Sequence, residues 1–147
     1  MMRRIVPRDM RLPFLQRYDL DMLMTDNPLF GRRTLVVEDE MLVLMLIEEM
    51  LADLGCMTVS AATVDQALAQ IVGTEFDAAM LDLNLNGEVS YPVADALAAR
   101  GVPFVFSTGY GVASIQDSYR HRPVLKKPYR FQDLANVLER LFRVRIV

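Results

Sequence analysis

From residue 34 onward the apolar residues fall into two kinds of run, separated by polar breaks, several of which contain glycine. One kind is short and continuous. Leu35-Val36-Val37, residues 57–61, Ala78-Ala79-Met80-Leu81, residues 103–108 and residues 123–127 are of this kind. Unbroken apolar runs of this length suit strands of a parallel sheet covered on both faces. The other kind is longer and spaced at helical intervals. Residues 41–54 predict a helix with apolar positions at Leu42, Met45, Leu46 and Met50, stopped by Gly55. A second helix runs through Val72 from a cap at Thr63 and closes at Gly73. A third covers 91–100, with Pro92 in its first turn and Gly101 after it, and the last covers 131 to about 143. Between the fourth and fifth strands, residues 109–120 predict only a weak, short helix, because Gly109 and Gly111 lower its propensity. Strand and helix thus alternate five times. The pattern predicts an α/β fold, a doubly wound five-stranded parallel sheet with right-handed crossovers and helices on both faces.

Residues 1–31 break this regularity. Pro7, Pro13 and Pro28 interrupt any helical or strand period, although Leu12, Phe14, Leu15, Leu20, Leu23 and Met24 are apolar enough to pack on something. The expected organisation is an N-terminal extension over 1–31, partly ordered or disordered, or the result of an upstream start codon, followed by one domain over 32–147. At 147 residues the chain can bury a core without disulfides or structural metals. A net charge of −3 argues against nucleic acid as a partner. Cys56 is the only cysteine, so no internal disulfide can form, and no apolar run reaches the length of a membrane span. A cytoplasmic protein without membrane partners is expected.

Functional groups in such sheets gather at the carboxyl ends of the strands, and four of those ends are polar here. Glu38-Asp39 follows the first strand, Asp82 ends the third, Ser107-Thr108 end the fourth and Lys127 ends the fifth. Desolvating an unpaired carboxylate is costly, so Asp82 closing a buried strand needs a reason. It can simply cap the turn made by the Asn and Gly that follow, or it can act. Three carboxylates within several ångströms repel by roughly 3 kcal/mol per close pair at an effective dielectric near 20. A divalent cation relieves that repulsion, and Mg²⁺ suits it, because it takes one or two carboxylates and leaves sites for a phosphoryl oxygen. With such an ion, Asp82 becomes a nucleophile toward phosphorus, while Thr108 offers a hydroxyl and Lys127 a cation to the remaining phosphoryl oxygens. Lys127 is preferred to Lys126 because it adjoins Pro128 and because side chains alternate along a strand.

Acid pair, acid, hydroxyl and lysine at successive strand ends resemble the receiver domains of two-component response regulators, over roughly residues 32–145. The resemblance implies the flavodoxin-like strand order 2-1-3-4-5. It implies that Glu38 and Asp39 are the acidic metal pair, Asp82 the phosphoacceptor and the backbone carbonyl of Asn84 a further metal ligand. Thr108 is then the switch hydroxyl, and Lys127 precedes a cis Pro128. The stretch Pro103-Phe104-Val105-Phe106-Ser107-Thr108-Gly109-Tyr110-Gly111 resembles a divergent subclass with a Phe-x-Thr-Gly-Tyr (FATGUY-type) signature. Its members are typically stand-alone receivers linked to bacterial stress signalling. In many receivers an aromatic residue stands three positions before the lysine, where this chain has Val124. Ordering of the 109–111 loop, with Tyr110, is expected to take over the coupling that aromatic would provide. Asn84, Gly109 and Tyr110 are implied to tune the phosphoryl lifetime, with turn and packing duty as the plainer alternative for Asn84 and Tyr110.

The expected function is thus a phosphorelay response regulator that takes its phosphoryl group from a histidine kinase. It would signal by contact with an unknown downstream protein, or act as a phosphate sink, and catalyse nothing beyond its own phosphorylation and slow dephosphorylation. Two alternatives remain at this stage. One is a receiver-shaped binding module that is never phosphorylated. The other is a Mg²⁺-dependent aspartyl-phosphate hydrolase, which would place an acid at Asn84 and its metal acids after the nucleophile instead of before it. Among the remaining residues, Glu40 is expected to cap the first helix, His121 to be exposed, Lys126 to be solvated and Cys56 to be a small buried hydrophobe.

Overall fold

The computed structural model describes residues 29–111 and 114–146. Its main sheet is built from β1 (Arg33–Val37), β2 (Met57–Ala61), β3 (Ala78–Asp82), β6 (Phe104–Thr108) and β7 (Val124–Lys126), all parallel, in the order β2-β1-β3-β6-β7. Numbered among themselves these strands run 2-1-3-4-5, the doubly wound order. Residues 1–28 of the expected extension over 1–31 lie outside the described residues. Leu29 and Phe30, on the extension side of the expected boundary, are buried in the core.

Strand alternation divides that core into two layers. Leu35, Val37, Leu81, Phe104 and Phe106 face α2 (Val64–Gly73) and α3 (Tyr91–Ala99). Val36, Met80, Val105 and Leu125 face α1 (Met41–Asp53) and α4 (Phe131–Ile146). The cap of α2 is as expected, with the Gln66 amide donating to Thr63 Oγ1.

Three local expectations need correction. The apolar positions read for α1, Leu42, Met45 and Leu46, are exposed, and Leu44, Ile47 and Leu51 are buried in their place. The first two turns of this helix are apolar all round, so spacing alone does not select the inward face. Glu40 stands at the N-cap position of α1, but its side chain makes no capping hydrogen bond. The segment 109–120 forms no α-helix among its described residues, where Ser114 and Asp117–Tyr119 are 3₁₀. Gly111 has φ +82°, which an α-helix cannot use. Tyr119 then drives its ring into the core between Phe104, Phe106 and Tyr91. Among the described residues the alternation therefore yields four α-helices, with 3₁₀ structure in place of a fifth.

A hairpin adds to the reading. Asn84–Leu85 (β4) pairs antiparallel with Glu88–Val89 (β5) across Asn86 at φ 50° and Gly87 at φ +85°. Positive φ at both turn residues is what a two-residue hairpin loop needs, and Asn-Gly supplies it at least cost. The sequence reading took this dipeptide as a turn without the two short strands around it. Their polar and apolar residues flanking Asn-Gly were the available signal.

Candidate functional site

The carboxyl ends of β1, β3 and β7 meet at one place. Val36, Met80, Val105 and Leu125 point to the α1/α4 side, so by alternation Glu38, Asp82, Ser107 and Lys127, each two residues later, start from that same side. Glu38, Asp39 and Asp82 each offer a carboxylate oxygen, and the three oxygens all lie within 4.8 Å of one another. Lys127 Nζ lies 2.9 Å from Glu38 Oε2 and 3.4 Å from Asp82 Oδ2. Glu38 and Asp82 are buried and Asp39 is half-buried. The Lys127–Pro128 peptide bond, just beyond β7, is cis.

The loops complete the rim. The Asn84 amide donates to Asp82 Oδ1 at 3.4 Å, and the Gly87 amide donates to Asn84 Oδ1 at 2.8 Å. The Asn86 amide donates to Asp39 Oδ2 at 3.0 Å, which ties the hairpin turn to the loop after β1. Thr108 is buried at the end of β6, where Oγ1 accepts a hydrogen bond from the Tyr110 amide at 3.1 Å. It does not touch the carboxylates. It stands across a cavity of about 300 Å³ that Asp82, Asn84, Tyr91, Thr108, Gly109 and Tyr110 help to line. The Tyr110 ring is exposed. A larger cavity of about 660 Å³ lies at the opposite end of the sheet, far from these groups.

The electrostatics follow from burial and crowding. Burial, and after it the charge of Glu38, pushes the Asp82 carboxyl up to about 6 against the pull of Lys127. Burial alone would lower Lys127. The hydrogen bond to Glu38 and the charge of Asp82 outweigh it and raise the ammonium above its ordinary value. Three acids share one lysine, a deficit of positive charge that an oxygen-seeking dication fits. Carboxylates are hard oxygen donors, and among the described residues no histidine or cysteine joins the cluster to favour Zn²⁺.

No family model and no curated protein sequence matches the chain. Solved structures do. The solution structure of SdrG from Sphingomonas melonis Fr1 is 43% identical, with 77% of this chain covering 97% of that one at a TM-score of 0.68. The chain belongs to the CheY-like response-regulator receiver family. The BeF3-activated conformation of SdrG, from Pseudomonas melonis Fr1, matches this receiver at 44% identity over 75% of it and 95% of SdrG, with a TM-score of 0.67. The receiver domain of the sensor histidine kinase PA1611 from Pseudomonas aeruginosa PAO1, which has a magnesium ion coordinated in its active-site cleft, is 25% identical. There 77% of this receiver covers 98% of that chain at a TM-score of 0.65.

Outside the site, the single-residue expectations sort simply. Cys56 is buried, its Sγ donating to the Leu29 carbonyl at 3.4 Å, and burial pushes its thiol up to about 11. His121 and Lys126 are exposed. Val124 is half-buried beside Phe106 in the sheet register, and the ring packed on Phe106 from the neighbouring segment is that of Tyr119. Sequence reading passed over Tyr91, which lines the cavity beside Asp82, and Tyr119, whose ring stacks on that of Tyr91. Their spacing along the chain carries no period that would have joined them.

Proposed function

We propose that this receiver is a phosphorylated switch of a two-component relay, with Asp82 as phosphoacceptor and a histidine kinase as phosphoryl donor. The observation that carries the reading is the convergence of three carboxylates and Lys127 on one point at the strand ends. Glu38, Asp39, Asp82 and the backbone carbonyl of Asn84 would hold Mg²⁺. When bound, the ion supplies charge neutralisation and a ligand site for a phosphoryl oxygen.

The ionised Asp82 oxygen attacks phosphorus, an acyl-phosphate P–O bond forms, and the donor's P–N bond breaks with its electron pair left on the imidazole nitrogen. Lys127 swings from the carboxylates to a phosphoryl oxygen. Thr108 turns its hydroxyl from the Tyr110 amide toward another, across the cavity it shares with Asp82. Reorganisation of the 109–111 loop with Tyr110 then presents a changed face to a downstream protein, or the receiver drains phosphoryl groups as a sink. Phe106-Ser107-Thr108-Gly109-Tyr110 supports placing it in the FATGUY-type subclass. The receiver turns over no substrate besides its own acyl phosphate, and it works in the cytoplasm. No helix of the described residues is long and apolar enough to cross a membrane.

The test is incubation with Mg²⁺ and acetyl phosphate, read by intact mass. Wild type gains one phosphoryl group and Asp82→Asn none. Equal labelling of the two removes Asp82 from its role. Backbone amide exchange over residues 108–120 that ignores BeF3⁻ disposes of the loop as the moving part.

A further inference from the structure

The α1/α4 side of the sheet carries two buried hydroxyls that the phosphorylation chemistry leaves unused. Ser107 stands opposite Asp82 in the β3–β6 register and is 2% exposed. Tyr129 follows the Lys127–Pro128 bond and packs against the core layer of Val36, Met80, Val105 and Leu125, which lies directly beneath Glu38, Asp82, Ser107 and Lys127. Its hydroxyl oxygen is buried. Among the described residues, neither Ser107 Oγ nor the Tyr129 hydroxyl makes a well-formed hydrogen bond. The two lie close enough to influence each other, and the Tyr129 phenol also feels the charges of Glu38 and Asp82. Leaving a buried hydroxyl unpaired is unfavourable, so an orphaned pair beside a charged cluster calls for an explanation.

The ion pairs supply one. Glu38 is 1% exposed and receives Lys127 at 2.9 Å, with the Glu40 amide at 3.3 Å on its other oxygen. A lysine that turns to a phosphoryl group on Asp82 weakens its hold on Glu38. A buried carboxylate that loses a charge-assisted hydrogen bond needs another donor. Carboxylates accept only, and of the two orphaned hydroxyls that of Tyr129, two residues beyond Lys127, is the one on which the Glu38 charge acts.

We propose that Tyr129 is a positioning residue whose hydroxyl rests against Ser107 and swings to Glu38 when Lys127 moves to the phosphoryl group. The tyrosine then holds Glu38 in place through the transfer, and Ser107 parks the hydroxyl in the resting state. This inference rests on the reading of Asp82 as phosphoacceptor.

The experiment is NMR on the full chain carrying ¹³Cζ-labelled tyrosine and ¹⁵N amides, titrated with Mg²⁺ and BeF3⁻, with Tyr129→Phe to assign the ring signal. The expected result is a Tyr129 shift in step with the Leu83 and Asn84 amides. In Ser107→Ala the resting signal is displaced and the activated one is kept. A Tyr129 signal that stays still while Leu83 and Asn84 respond overturns the inference and spares Asp82. Silence of all three, with no mass gained from acetyl phosphate, overturns the reading and the inference together. As a second arm, Tyr129→Phe takes up phosphoryl groups about fivefold more slowly at saturating Mg²⁺ than wild type, since a hydrogen bond to a charged group is lost, while Mg²⁺ affinity is unchanged, because the resting hydroxyl faces Ser107 and not Glu38. Unchanged uptake in that variant counts against the proposal.

Discussion

The two ends of the sheet both gather acids and bases, and they use them differently. At the amino ends, Arg32 reaches Asp77 at 3.6 Å, the Arg33 amide donates to Asp77 at 2.9 Å and the Arg33 side chain donates to the Glu75 carbonyl at 3.3 Å. Arg100 lines the same 660 Å³ cavity, so the two acids there, Glu75 and Asp77, are fully offset by arginines. At the carboxyl ends, Glu38, Asp39 and Asp82 face a single lysine. The larger cavity accompanies the balanced cluster and the smaller one the unbalanced cluster. What separates the two ends is the uncompensated charge, and cavity size is a poor guide to where the chemistry sits. A balanced cluster is satisfied and pins the fold. An unbalanced one holds a carboxylate part-way to neutrality and keeps a place for a cation.

That contrast can be broken by substitution at either end. The largest effect is expected from Lys127→Ala, which should slow phosphoryl uptake from acetyl phosphate roughly 100-fold, the usual cost of losing one preorganised donor to a developing charge. Arg32→Ala, at the balanced end, should leave uptake within about twofold of wild type by the same mass assay. Equal losses in both would mean the two ends do not differ in kind.

Next in size is a pH effect on stability without added cation. The Asp82 carboxyl is raised in the folded state from 3.8 to about 6, so the native protein binds that proton more tightly than the unfolded chain. Stability therefore falls as pH rises from about 4 to about 6 and is level above that, a drift on the order of 2 kcal/mol. Urea midpoints across this range should show the slope in wild type and lose it in Asp82→Asn. A slope of the opposite sign would mean that Lys127 outweighs burial and Glu38.

Smaller still, Asp39→Asn should weaken Mg²⁺ binding about tenfold by isothermal titration, with little change in stability. Asp77→Ala should do the reverse. Losing its hydrogen bond from the Arg33 amide costs about 1 kcal/mol, while Mg²⁺ affinity is unchanged. A variant at position 77 that altered ion binding would join the two ends and undo the comparison.

The strands and their polar ends were legible in the sequence because both signals are local. A continuous apolar run declares a buried strand, and a carboxylate, hydroxyl or lysine at its end declares itself by being there. The site then follows from the strand order, which the chain shares with its relatives. What escaped is what tertiary partners decide. The inward face of α1 is set by where the sheet lies, since Leu42, Leu44, Met45 and Ile47 are equally apolar. The form of residues 114–120 is set by Tyr119, whose ring finds Tyr91, Phe104 and Phe106 from two other elements. Thr108 was read correctly as lying at a strand end. Its present bond to the Tyr110 amide was invisible, because loop geometry leaves no period.

The clasp between Asn86 and Asp39 has a consequence of its own. One oxygen of that carboxylate fastens the tip of the Asn84–Val89 ribbon, and an ion held by the three acids would draw on the same carboxylate. Occupancy and ribbon posture thus compete for one group. Loosening the tip, by exchanging Gly87 for a bulkier neighbour of Asn86, would be felt inside the pocket without touching any of its walls.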